Sequence, residues 1–292
     1  MKSLWSIIWK VKLKKGEVMK YSFMSFSCPS LTLDEMLEVA ERFGYDGIEP
    51  RAESGHKHGI EKDISVEERK IVQRKMEKSP VKICCIATSC VYANPVKVDE
   101  NIQKTFEYID LCFDISCPKI RVFGGIIPEG INRKEAIKNV SESLKKVSDY
   151  ANSKNVKICL ETHDDWSNPE YVAELMIKVN NPSLRVNWDV MHPVLKEGKS
   201  VEESFNILKE WIEHIHFHDG VLISRGEKEY RVELRPVGEG SIDYRKVLEL
   251  LKSISYDGYL SGEWINWQPY QVHLPRELKK MKSYEKNISG AE

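Results

Sequence analysis

No apolar run in this 292-residue chain is long enough to span a bilayer, and the mean hydropathy is −0.44, which together argue against a membrane protein. An excess of charge is missing too: 44 basic and 45 acidic residues leave a formal net charge of −1. No basic stripe offers the clustered Lys and Arg that a phosphate backbone requires, so a nucleic-acid partner is not expected. No CxxC pair proposes structural zinc, and seven cysteines in so long a chain do not make a secreted disulfide framework. Cys28, Cys84, Cys85, Cys90, Cys112, Cys117 and Cys159 mostly lie in or beside apolar segments, the usual place of small buried thiols. No repeat, linker or low-complexity tract marks a second domain, and Gly124-Gly125 alone is no phosphate-cradling loop. What remains is a soluble enzyme in a reducing cytoplasm, with enough chain for one large core.

The opening MKSLWSIIWKVKLKKGEV is basic and partly apolar, but it lacks the long apolar core and small-residue cleavage site of a secretory signal. Gly16-Glu17-Val18 precedes Met19, and its codons can spell a purine-rich ribosome-binding sequence. Translation is therefore expected to start at Met19, with residues 1–18 a leader and 19–292 the folded domain. The competing reading is an N-terminal extension packed beneath that domain.

From Lys20 onward, strand and helix signals alternate. Strands are expected at 21–28, 46–50, 81–87, 119–123, 156–160, 184–188, 212–217 and 259–264. Helices are expected near 32–44, 65–78, 98–115, 132–152, 169–179, 201–209 and 241–251, the last capped by Ser241 with Asp243 in its first turn. Eight strands alternating with helices predict an α/β chain folded as a single (β/α)₈ TIM barrel, with an open doubly wound sheet as the alternative. Four metal-ligating residue types close successive strands of the second half: Glu161 in KICLETHDD, Asp189 in RVNWDVMHP, His216 in HIHFHDG and Glu263 in GYLSGEWIN. Strand C-termini and the loops after them build the active site of such a barrel, so these four side chains are expected to converge. Three carboxylates and one imidazole suit one divalent ion, Mn²⁺ first and Mg²⁺, Co²⁺ or Zn²⁺ as alternatives.

The motifs LETHDD, NWDVMHP, HIHFHDG, RPVGEGSIDYRKVLELLKSISYDGYLSGEW and FGYDGIEPR, in this order, resemble the xylose-isomerase-like TIM-barrel superfamily of sugar-phosphate isomerases and epimerases. The resemblance runs from about Lys20 to about Lys280. It implies that Glu161, Asp189, His216 and Glu263 ligate the metal, and that Glu161 and Glu263 also serve as the acid/base pair. His192 follows Asp189 in an Asp-x-x-His spacing that places the ring against substrate in relatives. His218 departs from the pattern, standing where many relatives carry Lys.

The chemistry so implied is proton abstraction beside a carbonyl, through an enediolate stabilised by the metal. Returning the proton to the opposite face of the same carbon epimerises, and returning it to the neighbouring carbon isomerises. Loss of a β-hydroxyl dehydrates. The ligands are common to all three outcomes, so an inosose-type dehydratase stands as the alternative to an isomerase or epimerase of a small sugar, keto-sugar or polyol. An endonuclease-IV-like nuclease and a metabolite-binding barrel rank lower. The nuclease reading lacks a His in CCIATSCVYAN and has Glu233 and Arg235 in place of an Asp-x-His pair.

Further substrate-binding candidates are Arg121 before the fourth turn, His56 (with His58) after strand two, His163 two residues beyond Glu161, and Arg235 in the loop before GEGS. Trp166, Trp264 and Trp267 are candidates to wall a sugar pocket. Plainer readings stand beside them: His56 and His58 as solvated loop residues, Arg121 and Glu49 as structural partners, and His214 as a hydrogen-bonded core histidine. A homodimer or homotetramer is expected from the way such barrels associate.

Overall fold

The computed structural model describes residues 19–224 and 230–289; the expected leader lies outside the described residues. Nine strand segments form one parallel sheet: β1 (Lys20–Met24), β2 (Gly47–Glu49), β3 (Lys82–Ile83), β4 (Ile86–Ala87), β5 (Lys119–Val122), β6 (Lys157–Glu161), β7 (Leu184–Asp189), β8 (Ile212–Phe217) and, after a hairpin, β11 (Tyr259–Gly262). Their order is β3-β2-β1-β11-β8-β7-β6-β5-β4. The two ends of that order are successive pieces of one stretch, so the sheet closes on itself as eight staves.

The third stave, expected unbroken, divides into two short ladders at Cys84-Cys85. Ile83 pairs with Ile48 of β2, whereas Ile86 and Ala87 pair with Ile120 and Arg121 of β5. The tilt of barrel strands imposes such a shear somewhere around the ring. Strand one is shorter than expected, ending at Met24 before a 3₁₀ turn, Ser25–Ser27.

Helices cover the outside of the barrel: α1 (Leu33–Phe43), α2 (Val66–Lys78), α3 (Val98–Ile115), α4 (Arg133–Ser153), α5 (Pro169–Val179), α6 (Met191–Glu197), α7 (Val201–Leu208), α8 (Tyr244–Ser253) and α9 (Tyr270–Ser289). Local sequence starts several of them. Thr32/Glu35, Ser65/Glu68 and Ser200/Glu203 form reciprocal capping boxes that satisfy otherwise orphaned N–H groups. The cap of α8 is Asp243 rather than Ser241: Asp243 Oδ1 accepts from the Lys246 N–H at 3.1 Å, while the Ser241 N–H is drawn to the Gly220 carbonyl. No described helix is long and apolar enough to cross a membrane.

The loop expected after stave seven is instead an antiparallel hairpin, β9 (Asp219–Ser224) with β10 (Tyr230–Arg235). Asp219 ties its base to the following turn, accepting from the N–H groups of Gly238 and Gly240.

Strand alternation sorts the side chains. Trp188, Ile215 and Leu260 share one parity, and Trp188 Nε1–H donates to Ser204 Oγ of α7 at 2.9 Å, which places that parity outside the barrel. The opposite parity carries Asn187, Asp189, His214, His216 and Ser261, all buried, so the bore is polar. Near its N-terminal end the buried Lys119 ammonium donates to the Glu213 carboxylate at 2.7 Å and to its carbonyl at 2.9 Å, bridging β5 to β8. All seven cysteines are buried and free.

Gly124-Gly125 lies in the irregular backbone just past β5, where a side chain has no room. Gly125 has φ +89°, and a Cβ on Gly124 would lie 2.3 Å from Trp166 Cδ1. Trp166 is itself fixed, its Nε1–H donating to the Gly125 carbonyl at 2.8 Å. Gly124→Ala therefore overpacks this corner and is expected to cost about 1–3 kcal/mol. Thermal or urea unfolding would measure it; an unchanged midpoint would show that the tryptophan yields freely.

Candidate active site

Glu161 ends β6, Asp189 ends β7, His216 is the penultimate residue of β8, and Glu263 follows β11. One ligand atom from each lies within 4.8 Å of those of the other three, and all four side chains are buried. Parallel register produces this convergence. Asp189 is paired with His216 and His216 with Ser261, so adjacent staves deliver their last inward residues at one level. His216 Nδ1 lies 3.3 Å from Glu263 Oε2 and 3.6 Å from Glu161 Oε1.

The donor set fits a divalent ion on its own chemistry. His216 Nδ1 and both Glu161 carboxylate oxygens are buried without a hydrogen-bond partner. Arg121 Nε approaches Glu161 Oε2 to 2.9 Å, but out of line for a hydrogen bond. Burial opposes charge on His216, yet Glu49, Glu161 and Glu263 outweigh it and raise its pKa well above the usual histidine range. Burial likewise raises the Glu263 carboxyl, and His216 and then His218 bring it down to about 2. Three carboxylates around one imidazole make a donor set suited to positive charge at their centre, which a small hard cation would supply.

Beneath this cluster Glu49, the last residue of β2, binds two rings at once. Its Oε2 accepts from His214 Nε2–H at 2.8 Å and its Oε1 from His216 Nε2–H at 3.1 Å. A carboxylate only accepts, so each ring presents its Nε2 proton to it, and His216 Nδ1 is the nitrogen left facing the cluster, where a bound cation would take the place of its proton. Burial would raise Glu49, but His214 and His216 hold it well below the ordinary carboxylate range. Burial dominates at His214 and lowers its pKa, as befits a neutral core histidine.

The remaining candidates separate into two groups. His218 Nε2–H donates to Asp189 Oδ2 at 2.8 Å, and His192 Nε2 lies 3.7 Å from the same oxygen. The His192 ring packs edge-on against His163 at 4.4 Å, so three imidazoles line one side of the mouth. Burial lowers the His192 pKa to about 4, whereas Asp189 overcomes burial and raises that of His218. Arg121 is almost wholly buried, held by the Thr88 carbonyl at 2.7 Å and stacked over Phe123.

Arg235 is not brought to the cluster. It closes β10 with its side chain 43% exposed and paired with Glu233. His56 bonds Ser25 Oγ through Nδ1 at 2.8 Å. For His58 the solvated-loop alternative does not hold: it is buried, donating to the Arg51 carbonyl and accepting from the Ile60 N–H. Trp166 and Trp264 have no exposed surface and pack in the core, leaving Trp267, half-buried, as the one of the three with an open face.

Sequence reasoning did not single out Arg51 or Ser89. Arg51 lies two residues past Glu49, and the field of Glu263 and Glu161 reaches it. The signal was available, since the i, i+2 spacing puts Arg51 on the inward face with Glu49.

Residues 37–284 match the family described as "Xylose isomerase-like TIM barrel". An uncharacterised protein of Methanocaldococcus jannaschii is 27% identical over 184 residues, covering 58% of this chain and 60% of its own length, so the match spans less than two thirds of that relative. The 3-dehydroshikimate dehydratase of Bacillus anthracis is 21% identical over 278 residues, 89% of this chain and 96% of the relative. A putative hydroxypyruvate isomerase of Xenopus laevis is 24% identical over 213 residues, 68% and 72% of the two chains. Among solved structures, the IOLI protein with a binding zinc atom superposes with a TM-score of 0.75 at 20% identity, covering 93% of this chain and 98% of that one. A D-tagatose 3-epimerase-like protein gives 0.74 at 22% identity, with 92% and 98% covered. With a closed barrel, a converged cluster at its mouth and a match over most of its length, this chain belongs to the xylose isomerase-like TIM-barrel family.

Proposed function

We propose that this enzyme is a metal-dependent isomerase or epimerase of a small sugar, keto-sugar or related polyol. One observation carries the reading: three carboxylates and one imidazole nitrogen from four consecutive stave ends meet within 4.8 Å. Glu161, Asp189, His216 and Glu263 would hold one divalent ion, with Mn²⁺ the first candidate. When bound, the ion acts as a Lewis acid that stabilises negative charge developing on the substrate oxygens.

The protein's own groups do the rest. Glu161 and Glu263 come from staves on either side of His216, so each can reach a different face of a substrate carbon. One carboxylate removes the proton beside the carbonyl to give an enediolate, and the other returns one. Burial opposes charge on Asp189, but the His218 ring that donates to it outweighs burial and holds it ionised, as a ligand rather than a base. His163, His192 and His218 supply polar edges for substrate hydroxyls, and Arg121 fixes the Glu161 carboxylate. Burial of the whole set strengthens each of these interactions relative to water.

A dehydratase is the second reading, favoured by the dehydratase relative that matches nearly end to end. It uses the same first proton transfer and differs in where the resulting electron pair goes: out through a β-hydroxyl rather than back to carbon. A cytoplasmic location and a homodimer or homotetramer complete the proposal.

Two outcomes are expected. Metal-loaded protein should catalyse exchange of substrate C–H protons with solvent deuterium, followed by NMR across ketoses, inososes and hydroxypyruvate. Glu161→Gln and Glu263→Gln should each slow that exchange about 10²–10⁴-fold. Full exchange in both variants would remove the acid/base assignment. Glu49→Gln should weaken metal binding about 10–100-fold in a competition titration with a chromogenic chelator, because the His216 tautomer is no longer fixed. An unchanged affinity would show that the ring needs no such orientation.

A further inference from the structure

Beside the carboxylate cluster, the mouth carries a second and oppositely charged feature. The segment Ala87-Thr88-Ser89, just past β4, anchors two guanidinium groups. Arg121 Nη1–H donates to the Thr88 carbonyl at 2.7 Å; Arg51 Nη1 donates to the Ala87 carbonyl at 3.2 Å and to that of Ala52, and Arg51 Nη2 to Ser89 Oγ at 2.6 Å. Arg121 is compensated by Glu161. For Arg51, no carboxylate oxygen among the described residues lies within ion-pairing distance, 4.0 Å. The nearby Glu53 is engaged elsewhere, by Lys104 at 3.7 Å and the Ser89 N–H at 3.2 Å.

Two like charges on one short segment repel, and burial and Arg121 both lower the Arg51 pKa. Of the five N–H donors of Arg51, its Nε–H and one on Nη2 have no acceptor among the described residues. His56 shares Phe26 with this guanidinium: its ring packs edge-on against Phe26, and Arg51 lies over the same ring at 5.9 Å. The Arg51 backbone N–H donates to Ser25 Oγ at 2.8 Å, and the same hydroxyl bonds His56 Nδ1, also at 2.8 Å. Nδ1 is thereby engaged, and Nε2 is the ring nitrogen that remains for a ligand. Burial and then Arg51 lower the His56 pKa, which keeps the ring neutral.

We propose that Arg51 and His56 form an anion-binding end of the substrate pocket, so that the substrate is a hydroxy-keto acid whose carboxylate pairs with Arg51 while its reacting carbons lie between Glu161 and Glu263. This deepens the isomerase or epimerase reading and rests on it. It narrows the substrate class from neutral sugars to sugar acids. Planar carboxylate against a guanidinium edge is the pairing that Arg serves better than Lys.

Paired probes that differ only in the acid test this: 2-keto-D-gluconate against D-fructose, and hydroxypyruvate against dihydroxyacetone, with D-fructose 6-phosphate as the phosphate arm. Binding to Mn²⁺-loaded full-length protein is followed by calorimetry. The acid of at least one pair should bind about tenfold or more tightly than its neutral partner, and Arg51→Gln should remove that preference while changing affinity for the neutral partner less than about twofold. Arg51→Lys, which keeps the charge but not the planar edge, should retain part of it. Melting temperature and metal content, unchanged in Arg51→Lys, separate loss of the subsite from loss of fold. Equal affinity within both pairs, an acid preference that survives Arg51→Gln (the metal itself then holding the carboxylate), or a preference confined to the phosphate overturns the proposal. Deuterium exchange on the same samples keeps the two readings apart. Exchange without acid preference leaves the enolising site standing and removes the anion subsite; Arg51-dependent acid binding without exchange does the reverse.

Discussion

The site depends on a single carboxylate buried in the bore. Glu49 comes from β2 and reaches across to β8, where it takes a proton from each of two histidines. Without that acceptor, His214 and His216 would be buried imidazoles free to choose either tautomer, and the nitrogen facing the cluster would be undefined. With it, Nε2 is committed and Nδ1 is the nitrogen turned toward Glu161 and Glu263. The ionised carboxylate is tolerable so deep in the barrel because two ring N–H donors share its charge.

Around that clamp the bore departs from an aliphatic barrel core. Asn187, His214, Ser22 and Ser261 are buried with polar atoms that meet no protein partner. Apolar packing is displaced to the outer face of the staves, where Trp188, Ile215, Leu260 and their neighbours meet the helices. The division suits the chemistry. The helical shell supplies the hydrophobic stabilisation, so the interior need not, and the inward positions are left for charged and hydrogen-bonding groups.

The mouth is electrically divided as well. Carboxylates from β6, β7 and the segment after β11 lie to one side, edged by His163, His192 and His218. Two arginines anchored to residues 87–89 lie toward the staves of the first half. Neighbouring charges of opposite sign pre-orient a substrate before any chemistry begins, and they are held by backbone carbonyls that cost nothing to reorganise.

Sequence alone determined the alternation of strand and helix, the capping boxes that begin α1, α2 and α7, and the four stave-end residues of the cluster. These are local properties: periodicity, a Ser or Thr three residues before Glu, and a ligating residue after an apolar run. Tertiary structure decided what depends on partners far along the chain. It divided the third stave into two short ladders, paired 219–224 antiparallel with 230–235, tied the base of that pair to the turn beyond it through Asp219, and packed Trp166 and Trp264 in the core. It also gave Glu49 its role, since that carboxylate meets His216 across 167 residues of sequence. Spacing along one strand announces which face a side chain takes; which charge it will meet there is settled only when the barrel closes.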